Sequence, residues 1–110
     1  MKCYMVYITT GSTNEAKDIA RVVIREKFAA CANILPQMES VYEWEGKICN
    51  DKEAVLILKT TQDKLTDLTD CVNELHSYDL PCIVALPIEN GSQDFLKWIY
   101  NETHPQKSKK

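Results

Sequence analysis

The chain has 110 residues, of which 45% are hydrophobic and 26% are charged, a composition typical of one globular domain. Its net charge of -3 argues against nucleic acid or an anionic membrane as the main partner, and no apolar run approaches the roughly 20 residues that span a bilayer. Residues 1–10 lack the layout of a signal peptide, so we expect a cytoplasmic protein.

The cysteines are an odd number without a C-x-x-C pair, namely Cys3, Cys31, Cys49, Cys71 and Cys82. This spacing excludes a disulfide framework and a structural zinc motif. Each cysteine lies in or beside an apolar segment, which predicts that most of them are buried free thiols.

The first predicted elements are a strand and a helix. Residues 2–10 are apolar on both faces of an alternating pattern, which predicts a central strand. Ser12 followed by Glu15 forms a capping-box pattern, and the apolar spacing that follows predicts a helix over residues 13–28.

A long hairpin follows this helix. Its first strand covers residues 31–44 and contains Pro36, which requires an edge position or a bulge. Glu45-Gly46 has the character of a two-residue turn, because glycine accepts a positive φ. The polar residues 50–52 predict a bulge in the returning strand. The apolar run at 54–58 predicts that this strand is then buried on both faces.

The last third of the chain repeats the pattern of helix and strand. Apolar spacings of three and four predict a second helix over 65–75, followed by a loop at 76–81 and an apolar strand at 82–88. Ser92 is placed to cap a third helix. Residues 104–110 form a basic tail that we expect to be disordered.

The order βαββαβ with a final helix predicts one α+β domain of the ferredoxin-like fold over residues 1–103. Right-handed crossovers put the first and third strands in the centre of an antiparallel sheet, with the second and fourth at its edges. Both main helices then cover one face of the sheet. The other face is apolar and uncovered, which favours self-association.

The hairpin is also too long for one protomer. Its first strand spans roughly 45 Å at about 3.3 Å per residue, whereas the first helix covers about 24 Å at about 1.5 Å per residue. The overhang carries Tyr42, Trp44 and Ile48, and an exposed ribbon with aromatic residues needs a cover. We therefore expect an obligate oligomer; the alternative is a flexible hairpin tip in solvent.

Five segments resemble the CutA divalent-cation tolerance family: AACANILP at 29–36, YEWEGKI at 42–48, ILKTT at 57–61, HSYDLP at 76–81 and ALPI at 85–88. The resemblance implies a ferredoxin-like protomer in a homotrimer that long hairpins lock together. It also implies kinship with PII signalling proteins and a link to copper and other divalent cations. No catalytic activity is established for that family.

The resemblance implies that His76 is a metal ligand, and imidazole commonly binds transition metals. Here Ser77 and Asp79 replace the family's proline and glutamate, and Ile8 stands where relatives carry a thiol ligand. Asp79 and Cys82 are candidate substitutes. The alternative is that His76 only caps the second helix. A lone histidine with mixed neighbours would bind copper(II) weakly.

A second candidate site is an inter-subunit cleft for a small polar ligand, because aromatic walls with charged groups suit such a ligand. Its candidate residues are Tyr42, Glu43, Trp44, Lys59, Tyr78 and Asp79. The alternative is interface packing, in which Lys59 pairs with a carboxylate such as that of Glu43, because a buried lone charge would be unfavourable by several kcal/mol.

An enzyme is not expected, since the chain lacks an anion-cradling glycine-rich loop and a thiol next to His76. We expect a cytoplasmic homotrimer of divalent-cation tolerance that binds copper(II) or another divalent cation weakly. The alternatives are a PII-like regulatory module with a small ligand at its inter-subunit clefts, or a non-catalytic scaffold. The expected partner is the chain itself, with neither nucleic acid nor membrane.

Overall fold

A computed structural model describes residues 1–106 and confirms the predicted order of elements. They are β1 (Cys3–Thr10), α1 (Thr13–Arg25), β2 (Cys31–Trp44), β3 (Lys47–Thr61), α2 (Leu65–Leu75), β4 (Ile83–Pro87) and α3 (Gln93–Thr103). A short 3-10 turn, Gln62–Lys64, precedes α2. None of the helices within this range is long and apolar enough to cross a membrane.

The strands form one antiparallel sheet in the order β2-β3-β1-β4. The central positions of β1 and β3 agree with the right-handed crossovers expected from the sequence. The α+β, ferredoxin-like prediction is therefore confirmed for the protomer, with α3 as the additional helix.

Helices α1 and α2 cover the same face of the sheet. The apolar residues of each helix lie three or four positions apart and form one stripe. This stripe packs against every second residue of the central strands, because alternate strand side chains point to the same face. The buried core there contains Val6, Ile8, Leu56 and Leu58 from the strands, and Ile19, Val23, Leu68 and Val72 from the helices.

The opposite face is covered only at one end by α3, where Cys3 packs with Ile99. Tyr7 of β1 lies on the same face as Cys3 and pairs with Val84 of β4, and Leu86 is two residues from Val84 on that face. Val84 and Leu86 are 49% and 46% exposed. In residues 1–106, this apolar sheet face therefore remains open, as predicted from the strand pattern. We refer to it as the open sheet face.

The β2–β3 ribbon extends beyond the helices and gives the molecule an elongated shape of 59 × 29 × 22 Å. Glu45 and Gly46 form its turn with φ angles of 52° and 77°, the combination of a type I′ hairpin turn. Trp44 and Ile48 near the tip are 55% and 74% exposed. The predicted overhang is thus present in the protomer.

The bulge predicted at residues 50–52 is wrong, because these residues pair continuously with β2. The register instead shifts between Leu35 and Met38, on the opposite strand. Pro36 lies there without an N–H to donate, and Gln37 has a φ of 61°. Polar side chains do not interrupt a ribbon whose surface faces water, whereas a missing backbone donor does.

Helix α1 ends at Arg25, three residues earlier than predicted. Lys27 takes the left-handed conformation with a φ of 65°, and the Phe28 N–H donates to the Val23 carbonyl over 2.9 Å. This is the Schellman arrangement, which closes a helix and turns the chain. Phe28 continues the apolar spacing because it packs against the core beyond the helix end.

The predicted disordered tail begins at His104, which stacks on Tyr100 with ring centroids 4.2 Å apart. The Nε2 atom of His104 lies 2.6 Å from a carboxylate oxygen of Asp63. These contacts attach His104 to the domain. Residues 107–110 lie outside the described part of the chain.

Candidate functional site

A cleft of about 520 Å³ lies at the edge of the open sheet face, where loop 76–82 meets the β2–β3 ribbon. Thr9, Leu80 and Cys82 contribute to its surface. Three aromatic and three acidic side chains dominate its lining: Tyr42, Trp44, Tyr78, Asp51, Glu53 and Asp79. We call this feature the ribbon cleft.

The period of the strands explains how the ribbon supplies these groups. Tyr42 and Trp44 are two residues apart on β2, so they lie on the same face. Asp51 and Glu53 are two residues apart on β3, where the register pairs Asp51 with Ser40. Because Ser40 is also two residues from Tyr42, all four side chains share one face of the ribbon.

Two tyrosine hydroxyls in the cleft donate to carboxylates. The Tyr42 hydroxyl donates to Asp51, and this bond raises the pKa of Tyr42 to about 12. The Tyr78 hydroxyl donates to Glu53 over 2.8 Å, and burial together with this bond raises the pKa of Tyr78. Both phenols therefore stay protonated at neutral pH and act as donors.

His76 is buried beneath the cleft with both ring nitrogens engaged by the backbone. Its Nδ1 accepts the Tyr78 N–H over 3.1 Å, so its Nε2 carries the proton and donates to the Thr9 carbonyl over 2.7 Å. The residue is also the C-cap of α2, with its own N–H donating to Val72. These contacts agree with the alternative that His76 caps the second helix. A metal ion at either ring nitrogen would have to displace one of these hydrogen bonds.

Glu15 anchors the same loop to the start of α1. One carboxylate oxygen accepts the Gly11 N–H over 3.0 Å, and the other accepts the Ser77 N–H over 2.8 Å. Burial raises the pKa of this carboxyl, but the N–H donors outweigh burial and leave it below its usual range. Ser12 caps the helix as predicted, through the Glu15 N–H.

The structure brings the two substitute metal ligands, Asp79 and Cys82, into one cleft. The two ring nitrogens of His76 are already hydrogen-bonded to the backbone. Within residues 1–106, no group of three or more His, Cys, Asp or Glu side chains is assembled as a metal site. The cleft thus offers oxygen and sulfur donors, but not a preformed cage.

Tyr42, Trp44 and Tyr78 line the cleft, whereas Lys59 and Glu43 do not. Lys59 donates to the Asn33 side chain over 2.5 Å and lies 5.9 Å from the Phe95 ring centroid, under α3. Glu43 lies between Tyr42 and Trp44 on β2, and so faces the other side of the ribbon.

Sequence reasoning missed Asp51 and Glu53. In a continuous ribbon the period-two pattern places both residues on the face of Tyr42. The bulge expected at 50–52 would break that alternation, so the two residues could not be assigned to this face from the sequence.

The cysteines are less buried than predicted. All five are free and lie within the described residues, but only Cys3 is buried. Cys82 is exposed in the ribbon cleft, where it directly precedes the edge strand β4.

A larger groove of about 710 Å³ runs beside α1 and α2. Its acidic side chains, including Asp67, Asp70 and Glu74, lie on exposed helix surfaces. Phe28 supplies the one aromatic ring of its described lining. Such a groove is typical of a solvated helical surface, so the ribbon cleft is the stronger candidate.

Comparison with known proteins gives consistent results. A family model described as "CutA1 divalent ion tolerance protein" matches residues 4–102. The chain is 48% identical over 99 residues to "Protein CutA, chloroplastic" of Arabidopsis thaliana. The aligned region covers 90% of this chain and 54% of that protein. It is 40% identical over 99 residues to "Divalent-cation tolerance protein CutA" of Thermus thermophilus, which covers 90% and 96%.

Among solved structures, CutA1 from Oryza sativa matches with a TM-score of 0.92 and 42% identity, over 96% of this chain and 97% of that chain. The chain spans about half the length of the plant relatives it matches, at 54% and 56%, and nearly all of the Thermus protein, at 96%. The family match covers both the domain core and the segments that build the ribbon cleft. The chain belongs to the CutA1 divalent ion tolerance protein family.

Proposed function

We propose that this protein acts in divalent-cation tolerance as a cytoplasmic, non-catalytic homotrimer that binds copper(II) or another divalent cation weakly. The supporting observation is the ribbon cleft, which holds the carboxylates of Asp51, Glu53 and Asp79 and the Cys82 thiol. These donors suit divalent cations, and copper(II) has the highest affinity of its series for most such sites. The family description names a tolerance protein rather than an enzyme.

Self-assembly is supported by two features of the protomer. The open sheet face leaves Val84 and Leu86 about half exposed, and the ribbon carries Trp44 and Ile48 beyond the helices. Exposed apolar faces of this kind mark interfaces. A threefold arrangement, in which neighbouring copies cover both features, would bury them together.

Weak metal binding is expected because the candidate ligands do not form a preformed site. His76 already uses both ring nitrogens, and the described residues contain no assembled group of three ligands. Tight sites for transition metals use three or four protein ligands with fixed geometry. The cleft instead supplies Asp79 and Cys82 on a loop, so an ion would have to organise its own site.

Calorimetric titration of the purified protein with copper(II) tests this proposal. Removing both loop ligands in the variant Asp79→Asn/Cys82→Ser should lower the copper affinity by about tenfold, since a thiolate and a carboxylate are lost. Cys49→Ser is the matched control, because Cys49 lies on the ribbon but outside the cleft lining. Unchanged affinity in the double variant would show that Asp79 and Cys82 are not copper ligands.

The second candidate function is a PII-like regulatory module that binds a small ligand in the ribbon cleft. The observation that favours it is the aromatic lining by Tyr42, Trp44 and Tyr78, which metal binding alone does not require. Half-exposed aromatic walls with a few placed polar groups are typical of small-molecule sites.

A thermal-shift screen with nucleotides, small anions and small cations tests the second candidate. A stabilising compound should lose its effect in Trp44→Leu and keep it in Trp98→Leu, because Trp98 lies on α3 away from the cleft. No stabilisation by any compound in the screen would count against a ligand-binding module.

A further inference from the structure

We propose that His104 and Asp63 form a pH-sensitive clasp that fastens the end of α3 to the 3-10 turn before α2, and that this clasp controls how firmly α3 covers the Cys3 end of the sheet. Both residues belong to one chain, so the contact does not require any surface of the protomer to be free. The inference goes beyond the proposed function, because it uses neither the ribbon cleft nor the candidate metal ligands.

The clasp joins two residues that are 41 positions apart in the chain. The Nε2 atom of His104 lies 2.6 Å from one carboxylate oxygen of Asp63, and the Thr61 hydroxyl donates to the other oxygen over 2.7 Å. The imidazole also stacks on the ring of Tyr100, with centroids 4.2 Å apart and 10° between the planes. Because His104 is the C-cap of α3, its side chain attaches the end of this helix to the 3-10 turn.

The contacts of the His104 ring suit an imidazole that carries two protons. Nε2 faces a carboxylate oxygen, and Nδ1 lies 3.0 Å from the Tyr100 carbonyl, and both of these oxygens only accept. Nδ1 is also 2.9 Å from the Thr103 hydroxyl, whose own proton has an acceptor in the Ile99 carbonyl at 3.0 Å. A neutral ring would direct the Nδ1 lone pair at the Tyr100 oxygen. The clasp therefore loses a hydrogen bond when His104 releases its second proton.

The acidic partner stays ionised over the range in which histidine titrates. Burial raises the pKa of Asp63, but hydrogen bonds from His104 and Thr61 outweigh burial and leave this pKa below its usual range. Histidine ordinarily loses its second proton near about pH 6.5. The clasp thus joins two opposite charges in mildly acidic solution and weakens as the pH rises and the ring becomes neutral.

Other titratable or charged groups lie beside the clasp. The amino group of Met1 and the side chain of Lys2 belong to residues that line a hollow of about 330 Å³, together with Asp63 and Tyr100. The Lys2 ammonium lies 3.7 Å from a carboxylate oxygen of Glu89, so it already has an acidic partner. A substitution at position 104 leaves these groups in place, and an effect caused by any of them would survive it.

Helix α3 covers the end of the sheet that carries Cys3. Ile99 is fully buried in the cluster that contains Cys3, and the Cys3 thiol lies 3.7 Å from the Leu96 carbonyl oxygen. When the clasp opens, the last turn of α3 loses its attachment to the 3-10 turn. The helix should then open more often, since local opening is limited by the contacts that hold a segment in place.

The test is hydrogen exchange of the full chain at about pH 5.5 and about pH 7.5, on either side of the ordinary range of histidine. Each amide rate is divided by its intrinsic value at that pH. We expect the α3 amides to be at least about fivefold better protected at the lower pH, which is the effect of about one hydrogen bond. This gain should be absent from α1, whose Glu15 lies beside His76, the other histidine of the chain.

Two variants test the members of the clasp separately. Asp63→Asn keeps the shape of the side chain but removes its charge, and His104→Gln removes the group that titrates. In each variant the difference in α3 protection between the two pH values should fall below about twofold. Asp67→Asn is the control, because Asp67 is exposed one turn further along the chain and its loss should leave the full effect. Circular dichroism verifies folding of each variant, and the comparison of two pH values on the parent does not depend on any variant.

Every other outcome contradicts the clasp. Equal α3 protection at the two pH values, or better protection at the higher one, overturns it. A gain of similar size in α1 assigns the effect to the whole domain and overturns it as well. A gain that persists in His104→Gln removes His104 from the device. Loss of the gain in Asp67→Asn would show that the pairing with Asp63 is not specific.

Discussion

His76 and Glu15 hold the loop that forms one wall of the ribbon cleft. The imidazole joins the loop to β1 through the Thr9 carbonyl, and the Glu15 carboxylate on α1 accepts the Ser77 N–H of the loop. Each contact gives a backbone group, the Thr9 carbonyl or the Ser77 N–H, a hydrogen-bond partner from a distant side chain. The hydrogen bond from the Tyr78 hydroxyl to Glu53 depends on these contacts, because the Tyr78 N–H donates to the His76 ring.

His76→Ala should lower the free energy of unfolding by about 2–4 kcal/mol, because it leaves a buried carbonyl and an N–H without partners and opens a cavity. Urea denaturation measures this change. Ser77→Ala is the control: Ser77 contributes its backbone N–H to Glu15, which alanine keeps, so the change should stay within about 0.5 kcal/mol. A His76→Ala protein as stable as the parent would contradict the structural role.

Glu15→Gln should destabilise the protein by about 1–2 kcal/mol at neutral pH, since charged acceptors form stronger bonds to N–H groups. The pKa of Glu15 is lowered in the folded state from its ordinary value of 4.5. Its contribution is therefore complete above about pH 4.5 and is lost as the pH falls through the lowered folded value.

Urea unfolding of the parent and Glu15→Gln across this pH range measures the effect. The two stability curves should converge in acid. Asp18→Asn serves as a control on the same helix, because Asp18 is exposed and its contact with Arg21 is a surface ion pair. A stability difference that stays constant down to strong acid would contradict the ionised role of Glu15.

The β2–β3 ribbon depends on its turn and on the irregularity at Pro36. The two left-handed residues, Glu45 and Gly46, give the turn a twist that matches the strands. Pro36 interrupts the ladder on the edge strand, and the register shift there leaves the outer half of the ribbon evenly paired. The ribbon can therefore carry cleft residues well beyond the helices.

Gly46→Ala should weaken the ribbon by about 1 kcal/mol, because a side chain disfavours a φ of 77° even where it meets no atom. Hydrogen exchange of the ribbon amides should become about fivefold faster. Gly91→Ala is the control, since its Cβ would make ordinary contacts with Leu96 at 3.7 Å. Unchanged exchange near Gly46 would show that the turn conformation is not required.

For the whole molecule, the distribution of covered and open surface is the central property. Two helices bury one sheet face, while α3 covers only one end of the other. Large apolar side chains remain exposed on the rest of that face and on the ribbon, among them Leu86 and Trp44, and exposed apolar patches mark interfaces. This imbalance supports self-association, and the proposed homotrimer would cover both features.

Leu86→Lys should dissociate the assembly, because it places a charge on the open sheet face. Light scattering at micromolar concentration should show a trimer for the parent protein and smaller species for the variant. Leu75→Lys is the control: Leu75 is 44% exposed against 46% for Leu86, but it lies on α2, on the covered side of the sheet. A parent protein that is monomeric in this experiment would contradict the proposal.

The sequence by itself determined the local features of this protein. The period of the apolar residues set the order of strands and helices, and Glu45-Gly46 set the hairpin turn. Ser12 and Ser92 marked the helix starts, since each side chain accepts an N–H three residues later. Such features depend on neighbours within a few residues, and so they can be recognised without coordinates.

The tertiary structure alone decided which side chains meet. His76 finds its partner in Thr9, 67 residues earlier, and Tyr78 meets Glu53 from 25 residues away. Whether the histidine is a ligand or a structural contact, and which carboxylates face the aromatic rings, depends on such distant pairings. Local periodicity cannot supply them, because they arise only when the loop and the ribbon fold against the same edge of the sheet.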